Sequence, residues 1–191
     1  MAELRSGGIV VGGLVAVLWI VEALDTLLKH RLDAYGIRPH QIGGLRGIVF
    51  APFLHTGWGH LIGNTLPLAV LGLIIAVKSV QRFVSVAVIV AVSSGLGAWL
   101  VGSSNSLHLG ASGLIFGLLT YLLVRGWFAQ KLGQILIGVV VALFYGTMLF
   151  GVLPVTTAVS WEAHLFGAIG GVVAAYLLDR KKAAKVNEVS V

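Results

Sequence analysis

The sequence predicts an all-α integral membrane protein: a bundle of six transmembrane helices, the fourth one short and preceded by a re-entrant loop. Three observations carry this. Hydrophobic residues make up 58% of the chain and charged residues only 10%, with mean hydropathy +0.99, whereas a soluble domain carries about 25% charge. The apolar residues fall into runs of spanning length, punctuated by basic residues. From Phe83 to Val124 there are 42 residues without a formal charge, too many for one span and divided by the polar Gly102-Ser103-Ser104-Asn105-Ser106. The whole chain, 1–191, reads as a single membrane domain with no soluble domain appended. Without Cys, disulfides, thiolate zinc sites and a Cys nucleophile are excluded. The net charge of +6 is spread between apolar runs rather than gathered in a patch, so it speaks for membrane topology and against nucleic acid.

Span 1 is expected over 7–28. Arg5 before an apolar run also suits a signal peptide, but Glu22 and Asp25 fall where a cleavage site would be, which favours an uncleaved span. Residues 29–54 form a long connection broken by Gly36, Pro39 and Gly43-Gly44 and apolar in its second half, as in a segment lying at the membrane interface. Span 2 is expected over 56–77, up to Lys78, and span 3 over 83–101, after Arg82. Span 4 is expected over 112–124, ending before Arg125, and span 5 over 132–152, before the break at Pro154-Val155-Thr156-Thr157. Span 6 is expected over 160–178, followed by a basic tail, 179–191.

Six spans put both termini on one side. That side holds Arg5, Lys78, Arg82, Arg125, Lys131, Arg180, Lys181, Lys182 and Lys185; the other holds Lys29, Arg31, Arg38 and Arg46. Nine basic residues against four place both termini in the cytoplasm and the chain in the cell (inner or plasma) membrane. Trp19, Trp58, Trp99, Trp127 and Trp161 fall near span ends, as an interfacial aromatic belt requires.

Polar residues inside the spans are the anomaly. If Arg125 marks the cytosolic edge, 13 residues of helix reach up to Ser112, roughly 20 Å of a core about 30 Å thick. Ser112 would then lie roughly 10 Å below the far surface, where irregular backbone survives only if buried in protein or lining a wet cavity. Counted the same way, Asn64 and His164 stand 14 and 15 residues above their cytosolic edges, at nearly the same level. His60 lies one turn above Asn64 on the same face. Gly113 and Gly117 below Ser112, and Gly167 and Gly171 below His164, are small-residue steps that let helix backbones approach. Packed through them, spans 4 and 6 would bring His164 within reach of Ser112 as the base that a serine nucleophile needs. His60 and Asn64 would be available as donors to an oxyanion.

At these residues the sequence resembles the rhomboid family of intramembrane serine proteases. Span 2 carries His55-Thr56-Gly57-Trp58-Gly59-His60-Leu61-Ile62-Gly63-Asn64, similar to the family's H-x4-H-x3-N. Span 4 opens on Gly110-Ala111-Ser112-Gly113, like G-x-S-G, and span 6 carries Ala163-His164-Leu165-Phe166-Gly167-Ala168-Ile169-Gly170-Gly171, like A-H-x2-G-x3-G. The match covers nearly the whole chain and looks like the minimal six-span bacterial form. The resemblance implies Ser112 as nucleophile and His164 as its general base, a dyad without an acidic third member. It implies His60, Asn64 and the Ser112 backbone N–H as oxyanion donors, with Gly110 shaping the hole and His55 supporting the loop. It also implies transmembrane protein substrates cut near the outer ends of their spans, contact with membrane lipids, and no cofactor or catalytic metal. Two positions depart from the pattern. Leu45-Arg46 stands where many members carry Trp-Arg, and Phe116 replaces the Tyr that stacks on the catalytic His. An inactive rhomboid-like protein that binds membrane clients is the second reading, and a small transporter the third; no acidic residue stands at the midplane to couple a cation.

Overall fold

The structure, a computed structural model, describes residues 2–155 and 160–180. Six helices in it are long and apolar enough to cross a membrane. Span 1 is Ala2–Leu27, span 2 Trp58–Ala76 and span 3 Val80–Val101. Span 4 is Ser112–Ala129, span 5 Leu132–Val152 with a 3-10 stretch from Gly146, and span 6 Trp161–Asp179.

Helix boundaries differ from the expected ones where charge was read as an end. Span 1 begins at Ala2 rather than at Gly7, because Glu3 and Arg5 are good helix formers. Span 3 begins at Val80, capped by the Ser79 hydroxyl, which accepts from the Arg82 N–H at 3.1 Å. Span 4 runs past Arg125 and stops only where Gln130 turns left-handed, φ 50°. It remains the shortest of the six at 18 residues, but at about 27 Å it nearly matches a hydrocarbon core. The helix thus continues past the expected cytosolic edge at Arg125 by four residues, to Ala129. Residues 181–191 of the expected tail, with Lys181, Lys182 and Lys185, and the Thr156-Thr157 break lie outside the described residues.

Span 4 is the axis of the bundle. Every residue from Gly113 to Leu122 is buried, as a helix apolar all round should be. Its most extensive contact is with span 6, through the predicted glycines: a Cβ at Gly167 would strike the Gly113 carbonyl, and one at Gly171 the Gly117 carbonyl and Thr120 Oγ1. Span 3 closes the other side of span 6. Phe166 lies against Gly97, and Ser93 Oγ and Ser94 Oγ donate to the carbonyls of Phe166 and Ala163 at 2.7 and 2.8 Å. Span 5 packs mainly on span 4 and leaves Leu136, Val139, Val140, Leu143 and Phe144 exposed, a lipid-facing composition. Span 1 buries Gly7, Val11, Leu18, Glu22 and Asp25 along one stripe, packed chiefly on span 2.

The connection after span 1 is ordered as short turns, Leu32–Tyr35, Ile42–Arg46, Gly47–Phe50 and Ala51–Phe53. Arg46 lies over the Tyr35 ring at 4.6 Å and donates to the Ala34 carbonyl at 3.1 Å. The tryptophan this loop lacks is answered from span 3, where Trp99 Nε1 donates to the Gln41 carbonyl at 2.8 Å. The segment before Ser112 folds back onto the same loop: Ile37 and His108 exchange both backbone hydrogen bonds at 3.0 Å, and the Gly110 N–H donates to the Ala51 carbonyl at 2.9 Å.

Candidate active site

The fold delivers five predicted residues to one cavity. Ser112 is the first residue of span 4, His164 lies in the first turn of span 6, and His60 and Asn64 stand on one face of span 2. Together with Phe116 they line a cavity of about 470 Å³, shared with Thr56, Leu107, His108, Leu109, Met148 and Ser160.

Ser112 Oγ lies 2.8 Å from His164 Nε2. The other ring nitrogen, Nδ1, is 2.9 Å from the Gly151 carbonyl. A carbonyl only accepts, so Nδ1 carries the proton and Nε2 presents its lone pair to the Ser112 hydroxyl. Phe116 stacks on His164 with centroids 4.2 Å apart and planes within 8°, which fixes the ring plane without a hydroxyl. Across the cavity, Asn64 is buried and its Nδ2 has no hydrogen-bond partner among the described residues. An orphaned donor inside protein is costly unless something else satisfies it. The His60 ring is held by a 3.3 Å contact between Nδ1 and Thr56 Oγ1. Gly110 has φ +114°, and a Cβ there would lie 2.8 Å from His60 Nε2; only glycine supplies both the backbone turn and the space. His55 is fully buried, packed edge-on to His60 at 5.1 Å. Burial, and then the His60 ring, push its pKa down to about 4, so at neutral pH it is an uncharged wedge beneath the loop.

Of this chain, residues 43–181 match the family model described as the rhomboid domain. The chain belongs to the rhomboid family. A rhomboid fold accounts for the six-helix bundle and makes this a multi-pass membrane protein. An uncharacterized protein of Mycobacterium tuberculosis is 48% identical over 91% of this chain and 75% of its own length. One of Mycobacterium leprae is 47% identical over 91% and 72%, and the rhomboid-like protein 11, chloroplastic, of Arabidopsis thaliana is 29% identical over 85% and 64%.

Three residues at or beside this rhomboid's cavity were not among the sequence-predicted ones: Gly151, which touches His164, and Ser160 and His108 of the cavity lining. Gly151 acts through its carbonyl, which any residue possesses. Ser160 and His108 meet through their side chains, and His108 also contacts Ser106 Oγ at 2.8 Å, so the two loops above the dyad are joined. Burial holds the His108 pKa below its ordinary value, with Glu162 pulling the other way. The position of His108 in the polar segment just before Gly110-Ala111-Ser112-Gly113 was the only available hint.

Proposed function

We propose that the protein is an intramembrane serine endopeptidase that hydrolyses peptide bonds near the outer ends of transmembrane segments of other membrane proteins. The observation that carries this reading is the 2.8 Å contact from Ser112 Oγ to a His164 Nε2 whose tautomer is set by the Gly151 carbonyl. In the first step His164 Nε2 takes the Ser112 proton while Oγ bonds to the scissile carbonyl carbon. The resulting oxyanion is met by Asn64 Nδ2, His60 and the Ser112 backbone N–H. Collapse breaks the C–N bond, and the leaving amine takes the proton from Nε2. Water then repeats the sequence on the Ser112 ester and frees the acid. The orphaned Asn64 donor supports this assignment, because the oxyanion is the acceptor it lacks.

Ser112 and His164 both stand at the end of the bundle opposite the N-terminus, where spans 4 and 6 begin. With both termini in the cytoplasm of a cell membrane, that end is the outer one, and the cut falls near the outer boundary of the substrate span. A helical peptide bond is shielded, so the substrate must locally unwind, which Gly or Pro near the cut makes cheaper. The test is release of fragments from a single-span model substrate in proteoliposomes, with product masses. Wild type should cut near the outer boundary and react covalently with a fluorophosphonate at Ser112. Ser112→Ala should do neither while still folding. Equal cleavage by the two proteins refutes the assignment; capture of the substrate by both proteins with cleavage by neither favours an inactive rhomboid-like binder of membrane clients.

A further inference from the structure

The loop end of span 1 gathers three carboxyl groups around one imidazole. Glu22 and Asp25 stand a turn apart on the buried face, each 1% exposed. The chain then reverses through Lys29 and His30, both left-handed with φ 55° and 59°, and the His30 N–H donates to the Asp25 carbonyl at 2.8 Å. This reversal lays His30 and Asp33 over Asp25. His30 Nδ1 is 3.3 Å from Asp25 Oδ2 and 4.0 Å from Asp33 Oδ2, and one ligating atom from each of the three residues lies within 4.8 Å of the others. Asp25 Oδ1 is engaged by the Leu32 N–H at 2.7 Å, which leaves Oδ2 for the cluster.

Behind them Glu22 is the second, independent sign. Both of its carboxyl oxygens are buried without a hydrogen-bond partner among the described residues, as is Asp33 Oδ1, and the ionisable groups acting on Glu22 are Asp25, His30 and Asp33. Among the described residues neither Lys29 nor Arg31 pairs with these carboxylates. Three carboxyl groups thus share one imidazole, and buried polar atoms without a partner are costly.

We propose that Asp25, His30 and Asp33 bind one divalent metal ion of the zinc class, with the buried Glu22 carboxylate behind it. An imidazole nitrogen beside carboxylate oxygens disfavours calcium and magnesium, which take oxygen ligands, and suits zinc. Ligands about 2.0–2.2 Å from a tetrahedral zinc stand about 3.4 Å apart; the Asp25–His30 pair already has that spacing at 3.3 Å, and Asp33, whose ligating oxygen lies within 4.8 Å of both partners, closes on the ion with a shift of about 1.5 Å or less. Half-exposed His30 leaves the fourth position to water. None of the four residues lines the Ser112 cavity, so the ion is a clamp and takes no part in peptide hydrolysis. It fastens span 1 to the loop whose Ile37 pairs with His108 beside the dyad.

The test uses the full chain in detergent, without a histidine tag and stripped by a chelator. Zinc titration calorimetry should give one site per chain, and zinc should raise the melting temperature. Joint substitution His30→Ala and Asp33→Asn, at positions that are not fully buried, should weaken zinc binding by about 100-fold or more and abolish the rise. The metal-free variant should keep the wild-type helical signal and melt no lower than wild type, which separates lost ligands from a lost fold. Zinc uptake that survives the double substitution, or no saturable uptake by wild type, overturns the proposal. Neither result bears on Ser112, because the readout is binding and not cleavage.

Discussion

Gly167→Ala probes how tightly the contact between spans 4 and 6 controls the dyad. An added Cβ would strike the Gly113 carbonyl oxygen and lie 2.9 Å from the Gly113 carbonyl carbon and 3.2 Å from its Cα, where ordinary contacts begin at 3.4 Å. Both sides are helix backbone, so neither can rotate away and the helices must part by roughly 1 Å or more. His164 lies one turn from Gly167 and Ser112 is next to Gly113, so the parting passes to the 2.8 Å contact between Oγ and Nε2. It stretches towards the limit of about 3.5 Å at which a hydrogen bond ceases to count. Misplacement by about 1 Å costs about 10²-fold in rate, and overpacking about 1–3 kcal/mol of stability. We expect cleavage in proteoliposomes and fluorophosphonate labelling both to fall by about that factor. Gly171→Ala meets the Gly117 carbonyl further from the dyad; it should lose similar stability and less activity. Gly12→Ala, with nothing within 4 Å of the new Cβ, should behave as wild type. Wild-type cleavage by a folded Gly167→Ala protein would show that the glycine contact does not set the catalytic geometry.

Three further outcomes are expected. Asn64→Ala should lower turnover by about 10- to 100-fold, less than the loss of a sole oxyanion donor, with KM little changed; a defect in KM alone would make Asn64 a binding residue. His164→Ala should lose nearly as much activity as Ser112→Ala, and the double variant little more, because the pair acts as a unit; losses that multiply in steady-state cleavage would separate them. His55, moved by burial from the ordinary 6.5 to about 4, binds fewer protons folded than unfolded between those values. Its contribution is therefore complete above about pH 6.5 and is lost as pH falls towards 4, up to about 3 kcal/mol in all. Melting temperatures across that range should fall less steeply for His55→Gln than for wild type, and parallel curves would count against a buried neutral His55.

What was legible in the sequence was whatever the bilayer and close packing dictate through side chains. Six apolar runs gave six spans, and the Gly113/Gly117 and Gly167/Gly171 steps gave the pairing of spans 4 and 6. The dyad contact followed from that pairing. The stack of Phe116 on His164 did not follow from spacing alone and came through the family resemblance. The end of span 4 lies five residues beyond the expected one, because a basic residue at a membrane edge does not end a helix. Arginine continues a helix readily, and here its guanidinium lies over the Tyr121 ring at 5.2 Å. The ties between loops were not legible either. Trp99 meeting Gln41 across 58 residues, or Ser160 meeting His108 across 52, depends on where irregular backbone settles, and no periodicity encodes that.

Gly151 is the clearest case of function carried by backbone alone, and on the proposed reading it explains how a serine and a histidine suffice. The third member of a triad holds the imidazole in one tautomer and stabilises the imidazolium that forms. A carbonyl performs the first task as well as a carboxylate does, but stabilises the cation less. The gain is that no further charge is buried, and a carboxylate at this place in a membrane protein would need a partner of its own. The nearest acidic residue on span 6, Glu162, is buried but stands two residues before His164, and side chains at that spacing do not share a helix face. It acts on the ring only at a distance. Gly151 itself must stay small: a Cβ there would lie 2.7 Å from Phe116 Cζ and 3.5 Å from His164 Nδ1. The stacked phenyl and the approaching carbonyl thus depend on the same missing side chain, and together they hold the base where a carboxylate otherwise would.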